Sequence, residues 1–259
     1  MDPKKIDEAL TAYIRPQSFP VGIALAESAD QVPAQARHPQ KDLGVELTIC
    51  QAVSMARRYG WMLALKREDI SCPLTYIPFG LAESVPFSVE GHACAGIYAE
   101  TAAAGARTEQ DTPRIGLNKA RQILVAPLFR CAFEPQVIAI YGNSAQIMRL
   151  VQGALWKIGG SIVSSSTGRV DCAEIMLRPM NTGDAHYILP CSGDRIFGLT
   201  QDDEMAFSSP VGRWPDILEG LQGTHRGGIR YPIPVSLRNR AVFPDQYEAL
   251  RREFEQGEK

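Results

Sequence analysis

The residues of this 259-residue chain best equipped for chemistry are its six cysteines: Cys50, Cys72, Cys94, Cys131, Cys172 and Cys191. A thiolate is a nucleophile and a soft metal ligand, whereas a neutral thiol behaves as a small core hydrophobe. Three disulfides would also use an even number. However, the opening MDPKKIDEAL carries acidic residues and has neither the apolar stretch nor the cleavage site of an export signal, so reduced thiols are expected. Three readings remain open: buried inert thiols, a metal or iron–sulfur site, and a reactive nucleophile. Sequences of the form CxxC, GxxxxGK[ST], HExxH and GxSxG are all missing, as is GxGxxG after a strand. Thioredoxin-like, nucleotide-binding, zinc-protease and serine-hydrolase chemistry therefore lose their usual signatures. With only four histidines, at 38, 92, 186 and 225, a His-rich metal centre is not expected.

Two charged constellations come next. Ser192-Gly193-Asp194-Arg195 sets a charged pair just after Cys191, either as an anion loop or as a turn in which Asp194 and Arg195 pair. His225, Arg226, Gly227, Gly228 and Arg230 could cradle a carboxylate or phosphate through backbone N–H groups and guanidinium forks, against the blander reading of a solvated basic loop. Arg57 and Arg58 read as surface helix charges, and Asp202-Asp203-Glu204 as a solvated turn.

The elements that must position these residues alternate in type. PKKIDEALTAYI places Ile6, Leu10, Tyr13 and Ile14 at helical spacing. FPVGIALAES reads as a buried strand, residues 29–46 as a loop, and LTICQAVSMARRYG as a short helix that begins near Cys50 and stops at Gly60. WMLALKREDISC reads as a strand with Cys72 just past its end. The stretch AGIYAETAAAGA reads as a helix and QILVAPLFRCAF as a strand. The clearest passage runs from Val137: a strand, an Asn143-Ser144 cap, a helix on Ile147, Leu150, Val151 and Leu155, a Gly159-Gly160 stop, and a second strand at 161–165. AEIMLRP, HYILPCSGDRIFG and DDEMAFSSP look strand-like or turn-like. Helices follow at Trp214 to Gly223 and on Tyr247, Leu250 and Phe254.

Charge is balanced, 27 Lys+Arg against 29 Asp+Glu, which disfavours a nucleic-acid coat. No apolar run approaches the roughly 20 residues of a membrane span. The expectation is a cytoplasmic chain of α/β or α+β class, one compact domain over 1–259. Two strand–helix–strand units, at 19–72 and 135–172, each end in acid and Cys (EDISC, RVDC). They raise the idea of an internal duplication that would bring Cys72 and Cys172 together.

The strings TICQAVSMARRYG, EDISCPL, PQVIAIYGNSAQIMRLVQGA, GRVDCAE, ILPCSGDR and GGIRYPIP, in this order over residues 19 to 234, resemble the domain-of-unknown-function 169 family of prokaryotic proteins. The resemblance implies that cysteines recur at the positions of Cys50, Cys72, Cys172 and Cys191, and not at Cys94 and Cys131. It also implies a setting in anaerobic metabolism, with no established reaction.

Those four residues each lie at an element boundary beside a turn former, where ligands converge in mixed folds. Four soft thiolates suit a [4Fe–4S] cluster or a structural zinc, and the family setting tilts the choice to iron–sulfur. Their long spacings contain no chelating pair. The expected function is a cysteine-ligated iron–sulfur protein serving electron transfer or assisting a redox enzyme, with a redox partner protein. The alternatives are a non-catalytic binding or regulatory protein holding a small anionic ligand through Arg195 and Arg230, and a structural zinc protein.

Overall fold

The computed structural model describes residues 3–231 and 243–257. Its centre is one antiparallel sheet in the order β2-β3-β1-β4-β6-β5. The strands are β1 (Val21–Ala26), β2 (Leu63–Leu65), β3 (Gln122–Pro127), β4 (Val137–Gly142), β5 (His186–Ile188) and β6 (Met205–Pro210). The helices are α1 (Pro3–Tyr13), α2 (Ile49–Tyr59), α3 (Pro86–Val89), α4 (Ala102–Asp111), α5 (Ser144–Leu155), α6 (Asp171–Thr182), α7 (Ser192–Phe197), α8 (Trp214–Arg226) and α9 (Asp245–Gly257). Helices and an antiparallel sheet in this arrangement make the class α+β. Among the described residues no helix is long and apolar enough to cross a membrane.

The central strands are apolar almost without a break because helices cover both faces of the sheet. On β4 the side-chain period of two sends Val137, Ala139 and Tyr141 to one face, packed with α2 and α6. Ile138 and Ile140 go to the other face, packed with α1, α5 and α8. A third small cluster, built on Ala24, Ala26, Leu124 and Ala126, closes the β2 side. Helix α5 lies so tightly on α8 that a Cβ on Gly220 would come 2.0 Å from the Gly153 carbonyl oxygen.

Local chemistry sets the starts of the helices that matter for the site. Thr48 and Gln51 form a reciprocal capping box at α2, and Gly60 ends that helix at φ 72°. Asn143 and Gln146 do the same for α5.

Three sequence expectations change. AEIMLRP is not strand-like but lies within α6, where Cys172, Ile175, Met176 and Pro179 form one buried stripe at helical spacing. Pro179 inside the helix and β-branched Ile175 obscure that period. Residues 161–165 form no strand. Gly159 and Gly160, both at positive φ, turn the chain so that it runs beside β5, where Ser164 Oγ accepts from the Tyr187 N–H at 3.0 Å. The helix expected in AGIYAETAAAGA lies later, as α4. The two units considered as a duplication therefore differ: β1-α2-β2 returns to the sheet, whereas β4-α5 does not, and α2 and α5 occupy opposite faces. In the GGIRYPIP string, residues beyond Tyr231 lie outside the described residues.

Candidate functional site

The four cysteines singled out by sequence each sit in an N-terminal turn. Cys50 is in the first turn of α2, its Sγ 3.0 Å from the cap hydroxyl of Thr48 and donating to the Gly193 carbonyl at 3.7 Å. Cys172 is the second residue of α6 and is buried. Cys191 caps α7 without a side-chain cap bond. Cys72 caps the single turn Pro73–Thr75, where the Thr75 N–H donates to the Cys72 carbonyl at 3.3 Å.

These turns share one electrostatic neighbourhood. The Cys172 thiol lies within electrostatic range of Cys50, Cys72 and Cys191 as well as its neighbour Asp171. No disulfide joins any of the cysteines. Cys131 stands apart, donating to the Phe133 carbonyl at 3.2 Å beside Gly22. Cys94 faces Glu109 at 3.8 Å and shares with Cys72 the field of Arg169.

Two carboxyls accompany the thiols. Cys191 Sγ donates to Asp171 Oδ1 at 2.9 Å, and the Tyr141 hydroxyl donates to Asp194 Oδ2 at 3.0 Å. The Asp171 and Asp194 carboxyls are within hydrogen-bond reach of each other, and Asp171 Oδ2 meets no donor. Two carboxylate oxygens can share a site only through a proton or a cation.

Burial dominates the ionisation of the locus. Desolvation pushes the Cys50 and Cys191 thiols up to about 12, and Cys72 and Cys172 also rise. It lifts Asp171 well above the ordinary carboxylate value, with repulsion from Asp194 adding to the effect. Asp194 rises for the same first reason. Left to itself the locus therefore holds neutral thiols and a protonated carboxyl.

The nearby buried cations are already matched. Arg57 is 1% exposed. It grips Glu204 through two bonds of 2.6 and 3.0 Å and stacks 4.2 Å over the Tyr141 ring. Arg169 pairs with Glu109 at 2.6 Å. Neither Arg57 as a surface charge nor Glu204 as part of a solvated turn survives: α2 turns Arg57 inward toward Tyr141, and Glu204 folds back to meet it. The acidic locus thus has no cation of its own to spare. Among the described residues, no three His, Cys, Asp or Glu side chains come together tightly enough to hold one metal ion.

The two arginines considered for an anion do not converge. Arg195 Nη1 donates to the Gln201 carbonyl at 2.7 Å and approaches Asp202 at 3.9 Å, bracing its own turn instead of pairing with Asp194. Arg230 Nε donates to the His225 carbonyl at 3.3 Å, just beyond α8. Helix α8 packs on the opposite sheet face from Tyr141, which contacts Asp194 of α7.

Sequence reasoning missed Asp171 and Tyr141, read Arg57 and Glu204 as solvated, and weighed Asp194 only as a partner of Arg195. Asp171 and Asp194 stand beside the cysteines in RVDC and CSGD, so an acid next to each thiol was the available signal. Tyr141, Arg57 and Glu204 carried none, because 53 and 147 residues of chain separate the bonded pairs Tyr141–Asp194 and Arg57–Glu204.

Comparison with known proteins agrees with the resemblance in the motifs. An uncharacterized protein of Methanocaldococcus jannaschii (MJ0308) is 23% identical over 208 residues, covering 78% of this chain and 86% of its own length. No solved structure matches the chain. The family model for DUF169, described as Uncharacterised ArCR, matches residues 9–220. Cys50, Cys72, Cys172 and Cys191 all fall inside that match, and the chain belongs to the DUF169 family.

Proposed function

We propose that Cys50, Cys72, Cys172 and Cys191 hold an iron–sulfur cluster and that the protein serves electron transfer or assists a redox enzyme. One observation carries the reading. Thiols from three other N-terminal turns lie within electrostatic range of Cys172, in a largely buried, acid-rich region whose neighbouring guanidiniums are already occupied. An occupant that replaces the protons of these thiols and of the facing Asp171 and Asp194 carboxyls with positive charge accounts for the arrangement.

The donors fit a cluster in kind. They are soft sulfurs, each in the first turn or at the cap of a helix, where backbone N–H groups lack helical partners and can serve cluster sulfurs. A single zinc with Zn–S bonds of 2.3 Å would crowd its sulfurs to about 3.8 Å apart. Ligands to different irons of a cluster stand further apart, in keeping with thiols that feel one another without forming a single-ion set. When bound, the group would supply one-electron transfer.

The chain's own residues do the rest. Asp171 Oδ1 already accepts from Cys191, so it is placed to receive that thiol's proton when the sulfur becomes a ligand. Tyr141 holds Asp194 in place, and the Arg57–Glu204 pair fixes the α2 wall against the residues after α7.

The test is iron and acid-labile sulfide analysis of full-length protein purified or reconstituted without oxygen, with visible absorption from thiolate-to-iron transitions. Near-stoichiometric iron and sulfide, lost in Cys172→Ser, is the expected result. Absence of both after reconstitution, or stoichiometric zinc in their place, would overturn the reading.

A further inference from the structure

Leu199, two residues past the end of α7, carries backbone strain that the core does not need. Its φ is 53°, in the left-handed region that glycine or asparagine adopts at little cost and leucine does not. Its side chain is nevertheless more than half exposed. The turn is held rigidly in this state. The Leu199 carbonyl accepts from Arg58 Nη2 at 3.0 Å and from Gln201 Nε2 at 2.8 Å, and the Thr200 N–H donates to the Asp194 carbonyl at 3.2 Å. A strained leucine fixed in water adds nothing to stability, so its use lies outside the fold.

Leu199 has apolar company. Leu189, Ile196 and Phe197 around α7, and Ile97 in the loop between α3 and α4, are also more than half exposed, with Tyr98 beside Ile97. This surface adjoins the cysteines. The Phe197 Cδ2 and the Cys191 Sγ flank the same point, lying 3.9 and 3.5 Å from where a Cβ on Gly193 would sit. A Cβ on Gly198 would come 3.2 Å from the Cys50 carbonyl oxygen, and the Tyr98 hydroxyl lies within electrostatic range of Cys191, Cys72 and Cys94. The exposed charge nearby is acidic: Glu100 follows Tyr98, and Asp202 and Asp203 follow Leu199. Residues 81–100 contain no Lys or Arg, and Arg195 is spent on the Gln201 carbonyl at 2.7 Å.

Resting on the cluster reading above for the partner's redox character, we propose that this face docks a small electron-carrier protein whose own apolar patch is ringed by Lys and Arg. An apolar centre with a charged rim is the anatomy of a protein interface, and redox encounters are its small, transient form. The acidic rim steers a basic partner and holds it beside otherwise buried sulfurs. A second copy of this chain fits poorly, because a two-fold contact would set Glu100, Asp202 and Asp203 against their own equivalents.

Calorimetric titration of the anaerobically reconstituted full chain with cytochrome c, a basic electron carrier, and with flavodoxin, an acidic one, tests the proposal, with iron and sulfide measured on the same sample. Saturable binding of cytochrome c that weakens by about tenfold or more as NaCl rises from about 20 to about 200 mM is expected, with no binding of flavodoxin. Leu199→Asn should weaken cytochrome c binding by about tenfold while leaving the melting temperature equal or higher, because asparagine accepts the positive φ. Phe197→Ser should weaken it by a similar factor, and Asp202→Lys combined with Asp203→Lys should remove most of the salt dependence. No saturable binding of cytochrome c, equal binding of flavodoxin, or affinity unchanged in both apolar variants would overturn the docking face. A dimer in sedimentation that Phe197→Ser disperses would overturn it in favour of a second copy. Iron-free protein that still binds cytochrome c through Phe197 and Leu199 would uphold the face and sink the cluster reading, which keeps the two failures apart.

Discussion

Cys191 donates its thiol proton to Asp171 at 2.9 Å, across 20 residues of chain and between the first turns of two different helices. Asp171 in turn stands against Asp194, so a thiol and two carboxyls form one buried proton-sharing group. That group makes the ligand-free protein sensitive to pH in a defined direction.

Asp171 and Asp194 both titrate above the ordinary 3.8, so in the window above that value the folded chain binds more protons than the unfolded one. The stability of metal-free protein should therefore fall as pH rises from about 4, at up to about 1.4 kcal/mol per pH unit for each proton retained. Glu204, held below its ordinary 4.5 by Arg57, works in the opposite sense, and its contribution is lost as pH falls through the lowered value. Urea denaturation across pH checks both limbs. Asp194→Asn should flatten the upper one, and an unchanged slope would refute the shared-proton account.

Removing one partner of the Arg57–Glu204 pair leaves a buried charge unpaired. Glu204→Ala should cost about 3–5 kcal/mol, because Arg57 stays enclosed over Tyr141 with only its hydroxyl partners, Ser18 and Thr200. Arg58 touches the same carboxylate but is one-third exposed, so Arg58→Ala should cost under about 1 kcal/mol. Paired denaturation curves measure the contrast.

The α5–α8 contact depends on backbone approach. Gly220→Ala would place a methyl 2.0 Å from the Gly153 carbonyl and 2.7 Å from the Trp156 Cβ. The helices must part, at an expected cost of about 1–3 kcal/mol. Gly212→Ala, where a Cβ meets nothing within 4 Å, is the control and should shift the melting temperature little.

The six thiols should divide four to two. Serine at Cys50, Cys72, Cys172 or Cys191 should abolish or sharply reduce iron incorporation, whereas Cys131→Ser and Cys94→Ser should retain it. Iron per chain after anaerobic reconstitution gives the answer, and equal retention in all six variants would dissolve the four-cysteine site.

The sequence by itself determined the local elements and the identity of the thiols. The capped starts of α2 and α5, the Gly60 stop and the buried runs of β1 and β4 follow from short-range chemistry: a side chain that satisfies a free N–H, a glycine that accepts positive φ, an apolar period. The resemblance to the DUF169 family likewise singled out Cys50, Cys72, Cys172 and Cys191. Only the tertiary structure decided that Cys172 lies within electrostatic range of the other three, that Asp171 and Asp194 lie buried against each other, and that Arg57 points inward to Glu204. It also decided that the chain does not return to the sheet as a strand after Gly160, and that α6 is a helix despite Pro179. These outcomes depend on contacts between residues far apart in the chain. An Arg in a helix reads the same whether it faces water or a carboxylate 147 positions away; which one it meets is set by how the layers pack, and no local period records that.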